Sequence, residues 1–279
     1  MSKFDEIREK IRKRFSGGGE TVADSAGKEE AGRKTIGWVS PFYTHSRSVQ
    51  VNPERIADNR CVAYFPHLPE VESYRVLRTQ ILRRTQGKGG NTLMVTSTLP
   101  DEGKTLTAIN LSFTMAKEFD NTVLLVDCDL RQQNIHKILG IPGEKGLADY
   151  FLDNCPLEDL IVWPGVEKLT LISGGKTVEG SSEILGAPRM RGLVGEMKNR
   201  YPERFIIFDV PPVLSTADAL AFAQWVDHIL LVVEAGKTPI PDLKRALEML
   251  PKEKILGTVL NRHSPLQDGY HYQKKYPAK

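Results

Sequence analysis

Six short runs of β-branched, aliphatic and aromatic residues constrain this chain more than any other feature. They fall at 92–96, 122–126, 169–172, 205–208, 228–233 and 255–259. Their hydrophobicity is nearly continuous rather than alternating, so they read as strands buried on both faces. Between them, apolar residues recur at helical spacing over 104–119, 146–152, 190–201, 217–225 and 241–249. Strand and helix alternating in this way predict an α/β fold with a mostly parallel central sheet and helices on both faces.

Ahead of this unit the pattern changes. Phe4, Ile7, Ile11 and Phe15 recur at spacings of three or four among Lys10, Arg12, Lys13 and Arg14, which predicts a short basic amphipathic helix. It is either a solvated tail or a helix that lies on a membrane surface or a partner. Ser16-Gly17-Gly18-Gly19 ends it, and the residues up to Lys34 offer almost nothing to bury, as in a linker. The division is therefore 1–36 for helix and linker, 37–265 for the folded domain, and 266–279 for a polar tail carrying Tyr270, Tyr272 and Tyr276.

Composition removes several function classes. Thirty-eight Lys and Arg against 35 Asp and Glu leave a net charge of +3, too balanced for a protein that coats nucleic acid, so no nucleic-acid partner is expected. Cys61, Cys128 and Cys155 are an odd count without Cys-x-x-Cys spacing, which argues against a disulfide framework and against a zinc or iron–sulfur site. The longest apolar runs, 123–126 and 229–233, fall far short of the roughly 20 residues that cross a bilayer. The first fifteen residues lack the apolar core of a secretion signal, so a reducing cytosol is the expected compartment.

The strand at 92–96 runs into Ser97-Thr98-Leu99-Pro100-Asp101-Glu102-Gly103-Lys104-Thr105 and then into a helix. In a phosphate-binding loop of the pattern G-x-x-x-x-G-K-[ST], backbone N–H groups surround the phosphates, the Lys reaches their terminal oxygens, and the hydroxyl binds Mg²⁺. Gly103, Lys104 and Thr105 supply the end of that pattern, while Thr98 stands where its first glycine belongs. The alternative is a plain strand–turn–helix with an exposed lysine. Two further strands end in carboxylates: 123–126 leads into Asp127-Cys128-Asp129-Leu130-Arg131, and 205–208 leads into Asp209-Val210-Pro211-Pro212. Ligands in open α/β sheets bind beyond the carboxyl ends of the strands, so Asp127, Asp129 and Asp209 can converge on the loop. An isolated strand-end Asp is more often a turn residue or a helix cap. Together the set offers what phosphoryl transfer requires: positioning, Mg²⁺ and a group to take a proton.

This constellation closely resembles the bacterial tyrosine kinase (BY-kinase) family, the cytoplasmic kinases of capsule and exopolysaccharide export, related in fold to the MinD/ParA ATPases. The family's Walker A pattern tolerates a missing first glycine and commonly reads P-x-E-G-K-[ST], as Pro100 to Thr105 do. Its D-x-D-x-R pattern matches Asp127, Asp129 and Arg131, and its D-x-P-P pattern matches Asp209 to Pro212. MinD and ParA carry a signature lysine that would fall at Leu99. The resemblance implies a three-layer P-loop NTPase that binds ATP and Mg²⁺ on the 98–106 loop, through Thr98, Pro100, Asp101, Glu102, Gly103, Lys104, Thr105 and Leu106, with Arg131 nearby. Asn261 falls where related ATPases contact adenine, or is simply a turn residue after its strand. Lys104 would neutralise charge on the γ-phosphate and Asp127 would act as base. Thr105, Asp127, Asp129 and Asp209 would hold the metal, directly or through water.

Glu72, Arg75 and Arg78 fit the family's E-x-x-R-x-x-R oligomerisation motif, which implies a ring in which one subunit's tail enters the next subunit's site. The competing reading is a solvated helix with Glu72 paired to Arg75 within one chain. Ser181-Ser182-Glu183-Ile184 resembles the segment that reads P-S-E-L in the family. The tyrosines at 270, 272 and 276 would be the phosphate acceptors. The family further implies a separate transmembrane polysaccharide co-polymerase as activator, a cognate tyrosine phosphatase, and recruitment of a cytoplasmic chain to the inner face of the plasma membrane. The alternatives are a MinD/ParA-like ATPase switch, or a regulatory subunit of an export complex with little kinase activity.

Overall fold

The computed structural model describes residues 47–85, 89–118, 121–201 and 203–263. The helix and linker expected ahead of residue 37, and the tail with Tyr270, Tyr272 and Tyr276, lie outside the described residues. The described strands are β1 (Arg47–Ser48), β2 (Thr92–Ser97), β3 (Thr122–Asp127), β4 (Val162–Trp163), β5 (Leu169–Ile172), β6 (Arg204–Asp209), β7 (His228–Glu234) and β8 (Ile255–Asn261). The described helices are α1 (Pro53–Asp58), α2 (Val71–Thr85), α3 (Lys104–Met115), α4 (Ile135–Leu139), α5 (Leu147–Leu152), α6 (Leu157–Leu160), α7 (Ser181–Gly186), α8 (Pro188–Arg200), α9 (Asp218–Ala223) and α10 (Ile240–Met249).

The strands form one sheet in the order β1-β4-β5-β3-β6-β2-β7-β8. Neighbours run parallel except β4, which is antiparallel to β5. All six strands expected from the sequence are present. The period of two along each strand divides its side chains between two cores. On one face Met94, Leu124, Ile206 and Phe208 pack against α8 and α9 through Leu193, Met197 and Phe222. On the other, Leu93, Val95, Leu125 and Ile207 pack under α3 through Ile109 and Phe113, with Ile81 of α2 outside them. Each such buried side chain contributes roughly 1.5–3 kcal/mol, so the layers are held from both sides. This is the three-layer α/β architecture the sequence predicts.

Strand β8 departs from the expectation of a strand buried on both faces. It closes one end of the described sheet and, among the described strands, has only β7 beside it; its residues are half-buried or exposed, and Leu260 is 56% exposed. Helix α3 shows the opposite behaviour, being buried almost all round although it carries Asn110, Ser112 and Thr114. Burial of those polar groups is tolerable because each is bonded. Ser112 Oγ donates to the Ala108 carbonyl at 2.8 Å, and Asn110 Oδ1 accepts the Ala63 N–H at 2.8 Å.

Register places the carboxylates. Asp127 and Asp209 are direct partners across β3 and β6, and Asp209 also pairs with Val95 of β2, two residues before the loop begins at Ser97. Three adjacent strands therefore deliver their last residues to one spot at the carboxyl edge of the sheet.

Candidate active site

The loop after β2 owes its shape to two residues with positive φ, Asp101 at 62° and Gly103 at 92°. Thr98 is not among the residues with positive φ, so the position of the missing first glycine needs no special backbone and a threonine fits there. Gly103 is different. It caps the start of α3, and a Cβ placed on it would overlap Asn261 Nδ2. Glu102, 3% exposed, braces the turn: its carboxylate accepts from the Leu99 N–H at 2.9 Å and from the Thr238 hydroxyl, while its carbonyl accepts from Asn261 Nδ2 at 2.8 Å. The opening of α3 thus presents backbone N–H groups at a helix N-terminus, a setting suited to phosphate.

Around this opening the predicted side chains meet. Lys104 Nζ donates to Asp129 Oδ2 at 2.9 Å and lies 3.4 Å from Asp209 Oδ1; Thr105 Oγ1 donates to Asp209 Oδ2 at 2.6 Å. Asp127 sits beneath, fully buried, its two oxygens accepting the N–H groups of Asp129 (3.1 Å) and Ile135 (3.2 Å). A cleft of about 250 Å³ opens over the cluster. Pro100, Asp101, Gly103 and Leu106 of the loop line it with Lys104 and Thr105, and Asp129 and Arg131 form the facing wall. Thr98 and Glu102 lie behind the loop, buried. Asn261 stands on the far side of Gly103, in a larger groove of about 940 Å³ bounded by α2, α3 and the end of β8. Leu106 and Arg262 border both spaces.

Burial by itself would push the Lys104 ammonium down, but Asp209 and Asp129 outweigh it and raise its affinity for the proton. Asp127 is pushed up to about 8, first by burial and then by the Asp209 carboxylate. Asp209 is raised as well, by burial against the opposing pull of Lys104 and Thr105. Among the described residues no group of three or more His, Cys, Asp or Glu side chains is arranged to hold a metal alone. The Thr105 hydroxyl beside Asp209, with Asp129 across Lys104, gathers oxygen atoms at the floor of the cleft. That suits Mg²⁺, which keeps several waters and takes phosphate oxygens.

The raised affinity of Asp127 sets an expectation for the nucleotide-free protein. Folded, this carboxyl holds its proton to higher pH than the unfolded chain does, so its stabilising effect is full below about pH 4 and is lost as pH rises through about 8. Between about pH 5 and 8 the wild type should lose stability more steeply than Asp127→Asn, by up to about 1.4 kcal/mol per pH unit. Thermal melts across that range check it; parallel profiles would show that Asp127 titrates as an ordinary carboxyl.

Glu72 and Arg75 pair with each other on α2 at 3.1 Å, as the competing reading of that motif has it, and Arg75 also reaches the Pro66 carbonyl. Arg78 turns inward to Glu118 at 2.6 Å and to the Thr114 carbonyl. Two residues near the cleft escaped sequence reasoning: Asp218, which is fully buried and bonded by Ser181 of the family-like segment, and Arg262 on the rim, paired to Glu234 at 2.6 Å. Asp218 and Ser181 open short helices and look like ordinary cap residues in the sequence.

Comparison with known proteins agrees with this geometry. A family profile described as an AAA domain matches residues 101–252. Tyrosine-protein kinase YwqD of Bacillus subtilis is 32% identical over 192 residues, covering 68% of this chain and 80% of that protein. Putative tyrosine-protein kinase CapB of Staphylococcus aureus is 29% identical over 240 residues, 85% of this chain and 96% of that one. Among solved structures, the kinase domain of the Escherichia coli tyrosine kinase ETK superposes with a TM-score of 0.67 at 27% identity, covering 83% of this chain and 95% of that domain. With strand-end carboxylates gathered around a Gly-Lys-Thr helix and relatives of one kind over most of its length, the chain belongs to the bacterial tyrosine kinase family.

Proposed function

We propose that the chain is an ATP-dependent tyrosine autokinase of exopolysaccharide or capsule production, which moves the γ-phosphate of ATP to Tyr270, Tyr272 and Tyr276 on the tail of a neighbouring copy. The observation that carries this reading is the meeting of Lys104, Thr105, Asp129 and Asp209 within hydrogen-bonding distance under one cleft, over the buried Asp127. Backbone N–H groups of the 98–106 loop seat the phosphates. Thr105, Asp127, Asp129 and Asp209 would hold Mg²⁺, directly or through water. Bound there, the ion would supply charge to offset that of the phosphates. Lys104, charged and desolvated, stabilises the charge that builds on the transferred phosphoryl group. Asp127 takes the phenolic proton; each of its oxygens spends one lone pair on a backbone N–H and keeps another, and its raised affinity suits a base working near neutrality. Asn261 donates its amide N–H to Glu102, which leaves Oδ1 to accept from the exocyclic amine of adenine, a preference for ATP over GTP.

In this reading 37–265 is the kinase domain, and copies assemble through Glu72, Arg75 and Arg78 into a ring. No helix among the described residues is long and apolar enough to cross a membrane. A separate transmembrane co-polymerase would activate the chain and hold it at the inner face of the plasma membrane, and a cognate phosphatase would reset the tail. The test is incubation with Mg²⁺ and γ-labelled ATP, wild type beside the Tyr270/Tyr272/Tyr276→Phe triple variant. Label on the wild type and almost none on the variant is expected. Equal labelling would move the acceptor elsewhere, and no label on either with the activator's cytoplasmic segment present would favour the ATPase or regulatory alternatives.

A further inference from the structure

Outside the carboxylate cluster, one polar chain runs from the interior to the cleft. Asp218, fully buried in the first turn of α9, accepts through Oδ2 from the Ser181 hydroxyl at 2.6 Å. Ser181, also fully buried, accepts from Arg131 Nε at 2.9 Å, and Nε lies 3.7 Å from the same Asp218 oxygen. The polarity of this chain is forced, because a guanidinium only donates, a carboxylate only accepts, and a hydroxyl can do one of each. The other Asp218 oxygen, Oδ1, is buried with no hydrogen-bond partner. A carboxylate sealed inside the protein and half unsatisfied is costly. Its one visible output is the orientation of Arg131.

Arg131 is 43% exposed and stands on the cleft wall with Asp129, which itself bonds the Lys104 ammonium. Its guanidinium therefore belongs to the end of the cleft that Lys104 serves, where terminal phosphate oxygens go. With Nε committed to Ser181, the Nη groups are the donors left for a ligand, in the planar fork that suits phosphate. We propose that Asp218 and Ser181 are positioning residues that lock Arg131 as a preset clamp on the terminal phosphoryl group, so that the cleft separates a nucleoside triphosphate from a diphosphate. This rests on the reading of the cleft as a nucleotide site. A free arginine loses considerable side-chain entropy when it grips a ligand; one anchored at Nε has already lost much of it on folding. Such a donor also needs no reorganisation as charge builds on the transferred group.

The test measures affinity of the full chain for MgADP and for a non-hydrolysable MgATP analogue by calorimetry, with melting curves as a folding check. Arg131→Ala should weaken the analogue by about tenfold and MgADP by less than about twofold. Asp218→Asn and Ser181→Ala should each produce a smaller loss with the same selectivity, and neither should add to the loss when combined with Arg131→Ala. If Asp218→Asn fails to fold, Ser181→Ala carries the comparison. A loss shared equally by both nucleotides, or penalties that add to that of Arg131→Ala, would overturn the relay. Unchanged affinities in Arg131→Ala would remove the clamp and leave the nucleotide site standing. A wild type that binds neither nucleotide would remove the site and the clamp with it.

Discussion

Lys104→Met should abolish phosphoryl transfer and also make the nucleotide-free protein less stable at neutral pH. Methionine keeps the length and apolar stem of lysine and removes the charge alone. That charge lies 2.9 Å from Asp129 and 3.4 Å from Asp209, with its side chain 11% exposed and Asp209 fully buried. In the reaction, the loss of a preset cation facing the transferred group costs about 10²–10³ in rate or more. In the resting protein, breaking a buried ion pair typically costs about 3–5 kcal/mol, because the partner charge is left uncompensated. Here Asp209, whose buried carboxylate Lys104 offsets, would lose that charge and could relieve the cost only by taking up a proton. The melting deficit should therefore be large near pH 7.5 and shrink near pH 5 (about) as the carboxylate fills. Transfer within tenfold of the wild type (roughly) would take Lys104 out of the chemistry, and a pH-independent deficit would mean that packing, not charge, explains the loss.

Gly103→Ala is expected to disable the loop without touching a charged group. At φ 92° an L-residue is strained, by about 1–2 kcal/mol or more, and the added methyl would enter the space of Asn261 Nδ2. Relief requires Asn261 to release the Glu102 carbonyl, which unties the end of β8 from the loop. The N–H groups that open α3 would then be misaimed, and misplacement on the order of 1 Å is worth about 10²-fold in turnover. Nucleotide affinity should fall with it, whereas the melting temperature should change only modestly. Wild-type affinity in Gly103→Ala would show that the loop adapts to phosphate rather than waiting preformed for it.

Most of the sheet was legible because its strands announce themselves. β2, β3, β5, β6 and β7 are buried on both sides, and their sequences carry a nearly continuous apolar signal. β1 and β4 were not foreseen, since two residues cannot display a period and their pairing depends on a neighbour far away in sequence. β8 was foreseen as a strand and misjudged in burial, because the same apolar run serves a central strand or an edge strand. The convergence of Asp127, Asp129 and Asp209 on Lys104 and Thr105 followed from strand ends together with the Gly-Lys-Thr pattern, as the direct pairing of Asp127 with Asp209 explains. The sequence does not separate Asp129, which lines the cleft, from Asp127 beneath it, since depth along a turn is set by which backbone N–H groups the carboxylate meets. Asp218 was invisible for a similar reason: its partner is 37 positions away.

The site's two ends stand on unequal ground. The loop grows from β2, held by β6 on one side and β7 on the other, whereas Asn261 ends β8, which among the described strands has β7 as its single neighbour. Strands paired on both sides open only with the whole domain, while an edge strand can fray at far lower cost. Whatever looseness is needed to let a spent nucleotide go is therefore available where the base would rest, and the phosphate cradle can stay intact through the exchange.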